Sequence, residues 1–85
     1  MKLPVIRHML KFVDEHGEQR IEECAETLEH FAEARGLKDE ELEVIGEVLS
    51  NLYGSLEVHQ QIQDGTPERD ALNGFMKRVT GSIDS

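Results

Sequence analysis

Asp39-Glu-Glu-Leu42-Glu-Val44-Ile45-Gly46-Glu-Val48-Leu49-Ser50-Asn-Leu52-Tyr53-Gly54-Ser-Leu56-Glu-Val58-His59-Gln-Gln-Ile-Gln-Asp64-Gly65-Thr66-Pro67 is the stretch that decides the fold. Leu42, Ile45, Leu49, Leu52 and Leu56 recur with alternating gaps of three and four, a short heptad seam. Val44, Val48 and Val58 add apolar surface beside it. Asp39, Glu40 and Glu41 fill the first turn, where free backbone N–H groups favour negative charge. The spacing predicts one helix over Asp39–Asp64, about 26 residues and long for so small a domain. Such a helix spans the whole domain or reaches a partner chain.

Downstream, Gly65 stops this helix, Thr66 is a capping residue and Pro67 suits a first helical position. Ala71, Leu72, Phe75, Met76, Val79 and Ile83 then mark the apolar face of a last helix, with fraying expected from Gly81 to Ser85. Upstream, Glu18 to Arg35 reads as a helix ending at Gly36. Its apolar stripe is Ile21, Cys24, Ala25, Leu28, Phe31 and Ala32, and Glu22, Glu26, Glu29 and Glu33 lie opposite. Before it, Pro4 to His16 carries two stripes, Val5-Met9-Phe12 and Ile6-Leu10-Val13, and Gly17 is the stop.

The expected fold is therefore all-α: a single domain, 1–85, built as a compact array of four helices with a long third helix. The core is expected to contain Met9, Phe12, Leu28, Phe31, Ile45, Leu49, Leu52, Leu56, Leu72, Phe75 and Met76. His59 continues the seam one step past Leu56. Buried there, it needs a partner or stays neutral.

Charge narrows the function classes. The 85 residues carry 18 acidic and 9 basic side chains, a net charge of −9. Eleven of the carboxylates lie between Glu18 and Glu47, against Arg20, Arg35 and Lys38. Such a field repels phosphate backbones and anionic lipid, so neither nucleic acid nor a membrane is an expected partner. No window approaches membrane-spanning length, and the expected location is the cytoplasm. A lone cysteine, Cys24, excludes an intrachain disulfide and fits a reducing compartment.

No chemistry-bearing constellation emerges. Glu26 and His30 are four apart, but no Glu-x-x-His pair of the di-iron type occurs, so no metal site and no cofactor are expected. Cys24 has acidic neighbours that oppose a thiolate and is read as a packing cysteine. The glycines are isolated and form no phosphate loop. No catalytic residue is assigned.

The pattern that asks for an explanation is Gly46, Ser50 and Gly54, four residues apart. Glycine costs about 1 kcal/mol relative to alanine inside a helix. Three readings stand: close packing inside the chain, under a bulky side chain such as Phe12 or Phe75, a close helix crossing between subunits, or a ligand bound over the glycines. Tyr53, beside them, is expected half-buried with its hydroxyl in water.

Several segments resemble a family of small uncharacterised bacterial proteins known chiefly from Bacteroidetes. These are Met1-Lys-Leu-Pro-Val-Ile-Arg-His8, Leu37-Lys-Asp-Glu-Glu-Leu-Glu-Val-Ile-Gly46, Asp64-Gly-Thr-Pro67, Asn73-Gly-Phe-Met-Lys-Arg-Val79 and Gly81-Ser-Ile-Asp84. The resemblance implies a stand-alone bacterial domain and transfers no functional residue.

The leading expectation is a protein–protein interaction or adaptor module that forms a homodimer and pairs with a second protein of basic surface. Leu42, Val44, Gly46, Val48, Ser50, Tyr53 and Gly54 are the interface candidates. The alternative is a small helical enzyme or metal-binding domain, which would need inward-facing polar groups in a pocket.

Overall fold

The computed structural model describes the backbone of residues 3–84 and the side chains of 3–78. It is all-helical: α1 (Leu3–His16), α2 (Glu18–Ala32), α3 (Asp39–Gln63) and α4 (Glu68–Asp84). The third helix is the longest, as its periodicity predicts. At 1.5 Å per residue its 25 residues span about 37 Å. It packs against each of the other three helices and serves as the spine.

Local sequence sets the helix ends. A single residue, Gly17, joins α1 to α2, at a φ of 91° that an L side chain resists. Its N–H donates to the Val13 carbonyl at 2.8 Å, closing the last turn of α1. The second helix stops at Ala32, three residues before the expected Arg35. There the N–H groups of Glu33 and Ala34 bond to the carbonyls of His30 and Phe31, three residues back, and the tightened turn ends the α ladder. At the start of α3, Glu41 reaches back and its Oε1 accepts the Lys38 N–H at 2.9 Å. Lysine offers no acceptor, so this is one half of a capping box. In α4 the first helical bond runs from the Ala71 N–H to the Pro67 carbonyl, and the backbone is helical to Asp84. The apolar-face positions Val79 and Ile83 fall outside the described side chains, and of the expected frayed end Ser85 lies outside the described residues.

Two apolar clusters sit on opposite flanks of α3, and α1 contributes to both. The first joins Ile6 and Leu10 of α1, Val58 of α3 and Ala71, Leu72 and Phe75 of α4. The second joins Val13 of α1, Ile21 and Ala25 of α2 and Leu52 and Leu56 of α3, with Met9, Leu28 and Leu49 partly buried against it. Ser55 is fully buried between them, and its hydroxyl donates to the Leu52 carbonyl at 2.7 Å. Because the helices form a flat array, the molecule measures 43 × 35 × 17 Å along its principal axes.

Flatness overturns part of the expected core. Phe12 and Phe31 are exposed, and Met9, Leu28, Ile45, Leu49 and Met76 are only partly buried. The second stripe of α1 is the one that goes inside: Ile6, Leu10 and Val13 are buried, while Val5 and Phe12 of the first stay outside. Cys24, expected on the apolar face of α2, is exposed as well. Met9, Phe12, Cys24 and Phe31 lie toward the edges of their stripes, where a neighbouring helix does not reach.

Candidate interaction surface

The small-residue stripe of α3 resolves into one packing contact. Gly54 is buried, and an added Cβ there would lie 2.9 Å from Cζ of Phe75 and 3.2 Å from Cδ1 of Ile6. Of the two aromatic candidates, Phe75 takes the position over Gly54, and Phe12 stays exposed on α1. Gly54 is thus consumed by the fold and offers no outer surface. Gly46 and Ser50 are exposed, and nothing lies within 4 Å of a Cβ built on Gly46.

The other interface candidates divide between two flanks. At about 100° per residue, Leu42, Gly46 and Tyr53 share one side of α3, and Val44 and Val48 lie roughly 200° away. No flat partner reaches both sides at once. Tyr53 is exposed, and its hydroxyl donates to the Glu29 carboxylate of α2.

On the other flank the N-terminal half of α3 lies beyond the two buried clusters. Val44 is 60% exposed and Val48 41%, while Leu42, on the Tyr53 side, is 38% exposed. Phe31, near the end of α2, is 54% exposed. Phe31, Leu37, Val44 and Ile45 line an open groove of about 400 Å³, with Glu40 and Glu41 on its rim. That volume falls within the range of ligand-sized pockets. Sequence reading found Val44 and missed the groove. Helical periodicity places Phe31 in the core, and the placement of Leu37 depends on the turn between α2 and α3.

A second cleft, of about 380 Å³, is lined by Glu18, His59, Gln60, Gln63 and Asp64. His59 has the partners its seam position requires. Its Nδ1 lies 2.6 Å from Oε2 of Glu18, and its Nε2 lies 3.4 Å from Oδ1 of Asp14. The two carboxylates flank opposite edges of the ring, so they hold the imidazole and do not converge with it on a common point. The cluster ties α3 to the α1–α2 junction. No group of three or more His, Cys, Asp or Glu side chains among the described residues is placed to hold a metal ion. None of their helices is long and apolar enough to cross a membrane.

A family model matches residues 1–84, nearly the whole chain. The chain belongs to DUF6952, a family of unknown function. No curated protein and no solved structure matches it. In this DUF6952 chain the features open to a partner are the groove, the exposed half of α3 and the charge around them.

Proposed function

We propose that the protein is an interaction module that docks another polypeptide on the free N-terminal half of α3. One observation carries the reading: Phe31 and Val44 stand exposed at one apolar groove, and Val48 is exposed one turn further along α3, a helix that runs beyond its own core. Scattered surface apolar residues need no explanation, but large ones grouped at a concave site are the usual mark of a contact surface. Affinity would come from the apolar floor, and the surrounding carboxylates would govern encounter rate and selectivity.

A homodimer through the same surface is the second reading. The flatness of the chain favours it, because a thin array gains burial when one face is covered. The expected cytoplasmic location belongs to the same proposal.

The test is a photo-cross-linking residue placed at Val44 in cells, compared with one at exposed Lys11 on α1. One dominant adduct at Val44 that is absent at Lys11 supports docking. A self-adduct of doubled mass identifies a second copy. Equal adducts at both positions, or none at either, would remove the interaction reading.

A further inference from the structure

We infer that the groove at the α2–α3 turn receives an amphipathic helical segment of another protein, with apolar anchors on one side and lysine or arginine beside them. This deepens the docking reading and rests on it. The floor is apolar: Phe31, Leu37, Val44 and Ile45. The rim is anionic, from Glu40 and Glu41 in the first turn of α3. Glu41 is held in place by the Lys38 N–H that its Oε1 accepts.

The surrounding charge has the same sign. From Glu29 to Glu47 there are seven carboxylates against Arg35 and Lys38, a balance of −5 with histidine neutral. Among the described residues no ion pair engages Asp39, Glu40, Glu43 or Glu47. Their field is left for a partner. An apolar floor inside an acidic rim is complementary to a helix with leucine-like anchors at i and i+4 and cations at the flanking positions.

The same charge opposes a second copy. A two-fold contact would set this surface against itself, bringing two chains of −9 together at their acidic ends. A small neutral apolar ligand would fill the floor but leave the rim carboxylates without counter-charge.

The experiment titrates isotope-labelled protein with two synthetic helical peptides that share one leucine pattern. One carries lysine at its polar positions and the other glutamate. The lysine peptide is expected to shift the amides of Phe31, Leu37, Val44 and Ile45, and the glutamate peptide to shift none. Raising salt from about 50 to about 500 mM should weaken binding about tenfold, since exposed charges are screened over this range. Val44→Asn should also weaken it about tenfold, because it replaces an apolar anchor of the floor with a polar side chain. Val44 is exposed, so this variant should keep the wild-type melt. Glu40→Gln should weaken binding several-fold more than Glu22→Gln, which makes the same charge change on the exposed face of α2.

Equal loss in Glu40→Gln and Glu22→Gln, or shifts spread along Glu22 to Glu33, would mean diffuse attraction and overturn the proposal. Equal binding of both peptides would overturn it too, in favour of an uncharged apolar occupant. If neither peptide binds while Val44 still cross-links to one dominant partner, the cationic occupant falls and the docking reading stands. A self-adduct at Val44 without peptide binding assigns the groove to a second copy and overturns the proposal.

Discussion

Gly46→Ala and Gly54→Ala make the same chemical change in the same helix and should move stability in opposite directions. Alanine exceeds glycine by about 1 kcal/mol in a helix interior, and both variants collect that gain. At Gly46 nothing lies within 4 Å of the new methyl, so the gain stands alone. At Gly54 the methyl would sit 2.9 Å from Cζ and 3.2 Å from Cε1 of Phe75. Carbon contacts are optimal at about 3.5–4.0 Å, so the ring must retreat by roughly 0.5–1 Å. It has little room, because Phe75 belongs to a buried cluster with Ile6 and Leu72, and the Arg78 guanidinium lies 5.6 Å from its centroid. Overpacking of this kind costs about 1–3 kcal/mol. Gly54→Ala should therefore lose about 1 kcal/mol net and Gly46→Ala should gain about 1. For a domain of this size each kcal/mol is about 4–8 °C in Tm. Urea and thermal denaturation followed by circular dichroism measure both. The two melts should straddle that of the wild type, and Phe75→Leu should recover part of the loss in the Gly54→Ala background. Equal stabilisation by the two alanines would refute the seating of Phe75 on Gly54.

Three further outcomes follow from burial and contact. Phe31→Ala should cost less than about 1 kcal/mol in urea denaturation, whereas Phe75→Ala should cost about 3–5; equal losses would return Phe31 to the core. His59→Ala should cost about 1–3 kcal/mol, because Glu18 and Asp14 lose the group that ties them to α3. A double-mutant cycle with Glu18→Gln should show coupling of at least about 0.5 kcal/mol, and additivity would mean that the contact is energetically idle. Cys24 should react with a maleimide in the folded protein without denaturant, since its side chain is exposed; protection until unfolding would place it inside.

Which residues form helices was legible in the chain, and which flanks of those helices are covered was not. Periodicity, the Gly17 stop, the acidic first turn of α3 and the Gly-Thr-Pro break are local signals, and each marks a helix or a boundary within a few residues. Burial depends on where neighbouring helices cross. Phe12 and Phe31 lie in apolar stripes and are large, so sequence places them inside. Yet the stripe is wider than the strip a neighbour covers, and Ile6, Val13, Ile21 and Ala25 take the covered positions. The interface candidates followed the same course. They share a helix and a short span, but Gly54 went under Phe75 and the others divided between two flanks. The groove joins Phe31 to Val44 across the α2–α3 turn, and α3 meets Glu18 through His59, a contact 41 residues apart in the chain. Spacing along a helix is a property of the backbone and can be counted from sequence. Contacts between helices arise only when whole faces compete for the same buried space, and that competition is settled by packing in three dimensions.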